Sequence, residues 1–258
     1  MPVIFLISYF FSFVFGENFF DAYKSVKDKE TFPFYSQKYE YNIYWGFLNV
    51  GKAVIKVEDV VEISTKVYAY KIVSNAVSSS FIANLFKVRD KNIGYLDVNF
   101  ERSYGYYKDI NEGKYSLKEY TVFDYENKKF YGKKIKNGKE KEHYGELEQN
   151  VYDILSSLYL FVKSEKEPEK VKKIDIVTTK LWKLEVINHG MEKIKINSKK
   201  IKCYKLEPKV GDDGIFISKK GRSLYVYLSE DKKVPVMLEA EVFIGSVVAK
   251  LEDYDKEK

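Results

Sequence analysis

Few residues in this chain have the types and spacing that chemistry needs. Adjacent carboxylates Asp212 and Asp213 sit in Val210-Gly211-Asp212-Asp213-Gly214. Paired acids serve proton transfer or hold Ca²⁺. Gly-Asp-Asp-Gly is also ordinary turn chemistry, and the turn is the better reading. Glu230-Asp231 reads the same way, because it opens a hairpin. Ser78-Ser79-Ser80 offers hydroxyl nucleophiles, yet neither histidine has sequence context as a base and the Gly-x-Ser-x-Gly elbow is missing. His143 and His189 are far apart and lack metal-ligand spacing. Cys203, the only cysteine, lies in the alternating run Ile201-Lys202-Cys203-Tyr204 and reads as a small buried apolar residue. The residues therefore predict no catalytic group, no metal and no cofactor.

Composition narrows the partners. The chain has 44 Lys and Arg against 38 Asp and Glu, a formal charge of +6. Only Arg89, Arg102 and Arg222 are arginines. Readers of nucleic acid usually rely on arginine forks, so the modest excess of lysine is a matter of solubility and nucleic acid is not an expected partner.

Residues 1–16 supply an address. Val3 to Phe15 is apolar except for Ser8 and Ser12, and Val14-Phe15-Gly16 offers small residues before Glu17. The run is too short to span a bilayer and matches a secretory h-region, although Met1 contributes the only positive charge ahead of it. Export is the expectation, to the periplasm or in association with the outer membrane, with no transmembrane span in the mature chain. About 240 residues then remain, enough for one large β domain without disulfides.

The elements that must position any site are mostly strands. Residues 17–37 form a mixed lead-in, loosely packed by its composition and by Pro33. From Lys38 onward, runs rich in Tyr, Val, Ile and Phe alternate with period two: Tyr39, Tyr41, Ile43 and Trp45 share one face, and Ala53, Ile55 and Val57 another. Asn137-Gly138 is a hairpin signal, Asn111-Glu112-Gly113 reads as a three-residue turn, Asp231-Lys232-Lys233 joins two strands, and Gly245 bends the last pair. One segment breaks the rhythm. Val151, Ile154, Leu155, Leu158, Phe161 and Val162 recur at helical spacing, with Asn150 as the expected cap, which predicts a helix over about residues 151–163.

The aromatic load, 23 Tyr and 18 Phe, is the remaining feature with functional content. Several strands are apolar on both faces, as where Tyr68, Tyr70 and Ile72 oppose Val67, Ala69 and Val73. Such strands need a second layer, a helix, a ligand or a partner. Aromatics filling an ordinary core are the plainer reading; a curved sheet lined by them would accept an acyl chain.

Three stretches together resemble the exported bacterial family known as domain of unknown function 3108. They are Tyr41 to Ala53 with its Gly46 and Gly51, Tyr152-Asp153-Ile154-Leu155-Ser156-Ser157-Leu158-Tyr159, and Gly221 to Val236 with the closing Gly245 to Leu251. Tyr227 stands where the family often carries Trp. The resemblance covers about residues 38–252 and implies an exported, mostly antiparallel β protein without established chemistry. Its shape is expected to be similar to the lipoprotein carriers and receptors LolA and LolB.

The expected architecture is mainly β: one antiparallel half-barrel or open barrel of about 11–13 strands over residues 38–252, the helix on its concave face, and a charged tail at 253–258. The expected function is non-enzymatic binding of a lipid or acyl group in the cell envelope. The ligand-lining candidates are Tyr41, Ile43, Trp45, Ile154, Leu155, Leu158, Phe161, Tyr225 and Tyr227. The alternative is a structural module whose core is filled by side chains and whose apolar faces meet an envelope protein; a hydrolase ranks third.

Overall fold

The computed structural model describes residues 17–164, 166–210, 223–242 and 244–256; the Asp212-Asp213 pair lies outside them. The strands are β1 (Lys24–Ser25), β2 (Lys38–Trp45), β3 (Leu48–Ser64), β4 (Val67–Ser78), β5 (Arg89–Asp97), β6 (Ser103–Glu112), β7 (Tyr115–Asp124) and β8 (Lys129–Lys136). They continue as β9 (Lys139–Glu146), β10 (Val171–Val177), β11 (Leu181–Ile196), β12 (Lys199–Val210), β13 (Leu224–Ser229), β14 (Pro235–Glu241) and β15 (Ser246–Leu251). Among the described residues two α-helices interrupt them, α1 (Ser80–Ala83) and α2 (Ile154–Val162).

All of these strands belong to one antiparallel sheet that does not close into a barrel. Strands β2 to β9 run outward to one edge. The chain then crosses through α2 to the opposite edge at β10, and β11 to β15 return until β15 pairs with β2. The fifteen strands among the described residues exceed the expected number, and the lead-in contributes one of them.

Local chemistry explains the turns. Asn137 and Gly138 take the positive φ values, 47° and 78°, of a two-residue hairpin. Gly46 (φ 59°) turns β2 into β3, while Gly51 has no room for a side chain because the Val77 carbonyl lies against it. The β6–β7 turn corrects the sequence reading: Glu112 pairs with Tyr115, so the connection is Gly113-Lys114 alone, with Gly113 at φ 58°.

The lead-in is held more firmly than its composition suggests. β1 pairs with β3, Val26 donates to the Val60 carbonyl at 2.9 Å, and Lys29 meets Asp59 at 3.0 Å. Phe20 stacks on Tyr95 at 4.6 Å and joins Val61, Ala69, Val73, Ile93, Tyr107 and Val122 in a core on the outer face of the sheet. Phe32 and Phe34 instead pack on Tyr70, in the larger inner core. The lead-in is therefore the second layer that the doubly apolar strands required.

A third cluster stitches the two edges together. Tyr106, Phe123 and Phe130 meet Leu147, Val151 and Val177, while Tyr152 donates to the Asp175 carbonyl and accepts from Val177 N–H as a parallel bridge to β10. Val151 and Tyr152 are thus extended, and the helix starts later than expected. Its N-cap is Asp153, whose carboxylate accepts from Ser156 N–H at 3.0 Å, and not Asn150.

Helix α2 meets the sheet at Gly94 of β5. A Cβ there would lie 2.7 Å from Asp153 Oδ1 and 2.9 Å from Ser156 Oγ. Gly94→Ala is therefore expected to destabilise the protein by about 1–3 kcal/mol through overpacking, read as a lower urea midpoint at unchanged m-value; an unchanged midpoint would contradict this seating of the helix.

Candidate functional site

A cavity of about 920 Å³ lies between α2 and the inner face of the sheet. Its two walls differ in chemistry because register places different residues side by side. On the β11–β14 wall, Val226 pairs with Leu206 and with Leu238, and Pro208 pairs with Val186; all five line the space, with Leu184 and Leu224. Ile154, Leu155, Leu158 and Phe161 of α2 complete the apolar lining.

The opposite wall, on β5 to β8, carries a polar row. Asn92, Lys108, Glu119 and Lys134 are successive cross-strand partners, of which Asn92 and Lys108 line the space. Glu119 is buried, accepts from the Tyr106 hydroxyl and pairs with Lys134 at 3.2 Å. Burial opposes its ionisation, but Lys108, the Tyr106 hydroxyl and Lys134 together hold the carboxylate below its usual range. The Lys108 ammonium lies 4.9 Å from the centre of the Tyr106 ring and makes no ion pair or hydrogen bond among the described residues. Desolvation lowers its pKa against the opposing pull of Glu119 and Asp153.

The adjoining row holds Tyr106, Thr121 and, across Gly132, His143. His143 Nε2 and Thr121 Oγ1 are 2.8 Å apart, and both residues are buried. Asp153, buried at the helix cap, also bonds the Ser156 hydroxyl, and its backbone N–H donates to Ser103 Oγ at 3.2 Å. Burial raises its pKa.

The nine candidate lining residues divide. Ile154, Leu155, Leu158 and Phe161 line the cavity. Tyr41 and Ile43 face the same side as the lining Leu238 and Val226 through β15, but Tyr41 is packed into the core with its hydroxyl on the Pro235 carbonyl at 2.7 Å. Trp45 sits at the strand end, half exposed, donating to the Ile244 carbonyl at 2.8 Å. Tyr225 and Tyr227 alternate with Leu224 and Val226 and so occupy the other face, where Lys205 covers both rings. They are not lining residues.

The other candidates resolve into structural roles. Ser79 caps α1 and the Ser78 hydroxyl accepts from Val88 N–H, so neither meets a histidine. His189 bonds Glu207 at 2.8 Å, which also accepts from Ser223 Oγ and Lys209. Cys203 is buried in β12, and burial pushes its thiol up to about 12.

The family model for proteins of unknown function DUF3108 matches residues 40–252. The chain belongs to that family. No curated protein matches it in sequence. Among solved structures, the chain is similar to a β-barrel-like protein of domain of unknown function DUF1849 from Brucella abortus. That match has a TM-score of 0.52 and 10% identity, and covers 84% of this chain and 96% of the other. At that identity the likeness concerns the fold alone.

In this DUF3108 protein the residues behind the resemblance have visible duties. Asp153 and Ser156 seat the helix on Gly94, Gly46 and Gly51 shape the first hairpin, and Pro235, the partner of Leu228, opens β14, the strand-start position that suits a residue without an N–H. The polar wall is what the sequence did not announce. Its members sit on separate strands, and only their alternation with outward residues such as Tyr107 and Tyr120 hinted at a shared face.

Burial, opposed by Glu119 and aided by Lys134 and Lys141, holds the His143 pKa below its usual 6.5. The folded form thus favours the neutral ring, and its contribution is present above pH 6.5 and lost as pH falls through that value toward the folded pKa. His143→Gln keeps a partner for Thr121 but does not titrate. Its stability is expected to fall less than that of the wild type between neutral and mildly acidic pH, in paired urea titrations; parallel pH profiles would contradict the burial argument.

Proposed function

We propose that this DUF3108 protein is an exported, non-enzymatic envelope protein that binds an apolar or amphipathic ligand in the space under α2. The cavity carries the reading. Its volume of about 920 Å³ falls within the range typical of small-molecule sites. The apolar wall and the inner side of α2 would take a hydrocarbon chain, and each methylene moved out of water contributes about 0.8 kcal/mol. The apolar segment Val3 to Phe15 supports export. No helix among the described residues is long and apolar enough to cross a membrane.

The site also suits binding better than turnover. The His143 and Thr121 pair is buried, and the Glu119 carboxylate is taken by Tyr106 and Lys134. What faces the space is mostly hydrocarbon.

Native mass spectrometry of protein taken from envelope fractions is expected to show copurified lipid or acyl mass. Leu158 is only half buried and faces the cavity, so Leu158→Trp is expected to fold with a wild-type circular dichroism spectrum and to lose that mass. A bare wild-type mass, or equal retention by the folded variant, would remove the helix and its cavity from the function.

A further inference from the structure

We propose that the occupant of this cavity is an amphipathic anion whose carboxylate or phosphate head pairs with Lys108, its chain lying on the β11–β14 wall. The assignment rests on the cavity-binding reading above and adds the charge of the head. Its basis is an imbalance along one row of the sheet. Lys134 answers Glu119 directly at 3.2 Å, and the Tyr106 hydroxyl bonds the same carboxylate. Asp153, the other nearby acid, has its oxygens engaged by Ser156 as a helix cap. Lys108 is left with its ammonium over the Tyr106 ring and no counter-ion within bonding distance among the described residues.

Lys108 is partly buried at the cavity surface, and a cation there without a bonded counter-ion favours the arrival of an anion. Burial already weakens the hold of Lys108 on its proton. An anionic head would restore both charge and hydrogen bonding, and charge-assisted bonds are the strong ones. Asn92, the cross-strand neighbour of Lys108, also lines the cavity and could donate to the same head. Beyond Lys108 toward the strand ends, Lys136 and Glu112 both line the space, so the mouth carries one charge of each sign and Lys108 is the deeper cation.

The test is equilibrium binding of oleate, oleoyl lysophosphatidate and neutral monoolein, read by displacement of a fluorescent acyl probe. One or both anions are expected to bind about tenfold or more tighter than monoolein, and whichever leads distinguishes carboxylate from phosphate. Lys108→Met should abolish that preference while keeping a single cooperative urea transition, because Tyr106 and Lys134 still hold Glu119. Equal binding of anions and monoolein overturns the anion assignment and spares the cavity. Binding of none of the three sinks both. A Lys108→Met variant that keeps the preference, or that loses it only with a collapse in stability, makes Lys108 a structural counter-charge and overturns the assignment.

The two ends of the sheet also differ in what they expose. At one end Trp45, Phe47, Phe81, Leu85, Phe86 and Ile244 project from three connections, with Phe47 92% and Leu85 81% exposed. These connections adjoin: Trp45 donates to the Ile244 carbonyl, Ser79 N–H to the Val50 carbonyl, and Phe86 packs on Gly113. Turns at the other end expose no large apolar side chain among the described residues. Among the described residues the same rim carries Lys87, Arg89, Lys114, Lys136, Lys139 and Lys180 against Asp90, Glu112, Glu140 and Glu241. The cavity lining reaches it at Glu112, Tyr115 and Lys136.

We infer that this rim docks on an anionic lipid bilayer, the protruding apolar tips entering the interface and the lysines meeting head groups. Vesicles of phosphatidylcholine with about 30% phosphatidylglycerol are expected to float the wild type and to release it at high salt. The Phe47→Ser/Phe81→Ser/Leu85→Ser variant, changed only at exposed positions, should bind at least about tenfold more weakly and keep its ligand preference in solution. A wild type that stays out of the vesicle fraction, or a variant that floats equally well, overturns the membrane assignment without touching the cavity.

Discussion

The architecture depends on how one helix touches the sheet. Where α2 approaches β5, the contact is polar and close: Asp153 and Ser156 rest on Gly94, and the carboxylate spends its bonds on the cap. Tyr159, Phe161 and Val162 bury farther along, while Ile154, Leu155 and Leu158 remain half buried. A helix seated by its apolar stripe would have pressed those leucines onto the strands and closed the space. Seating it through a cap instead holds the stripe over a cavity. Asp153 ionises less readily because of its burial, which is the cost of using a carboxylate as the pivot.

The same helix lets an open sheet survive. Strands β9 and β10 are unpaired edges, and exposed edges invite aggregation. Along β9 the sequence Lys-Glu-Lys-Glu leaves charges outward, and at β10 the Tyr152 bridge occupies part of the edge. The crossing segment that carries α2 is also the seam, since Val151 joins Tyr106, Phe130 and Val177 in one cluster. The seam is made by one crossing segment, bonded to Ser103 on one side and to β10 on the other, in place of a β9–β10 ladder.

Much of this was legible from residue order because period-two alternation holds in most strands, outside the bulges of β3 and β11, and because the turns use strong chemistry. Asn137-Gly138, Gly46 and Gly245 all adopt the positive φ their types suggest. The helix cap was misplaced by three residues because Val151 and Tyr152 continue the apolar spacing while actually lying extended across the seam. Tyr225 and Tyr227 were misassigned for a related reason: with both faces of β13 apolar, alternation cannot say which one looks inward, and register with Leu206 and Leu238 decides it. The polar wall was invisible for a deeper reason. Lys108, Glu119 and Lys134 are each unremarkable in a lysine-rich chain, and only pairing across three strands makes them one surface.

The central claim is that α2 stands off the β11–β14 wall and that a chain-like molecule occupies the gap. Its most direct test is an experimental structure of protein isolated from its native membranes without delipidation. The account predicts elongated density between Leu155, Leu158 and Val226, ending near Lys108. A helix collapsed onto the strands, with its leucines packed against Leu206 and Leu238 and no space between them, would contradict it.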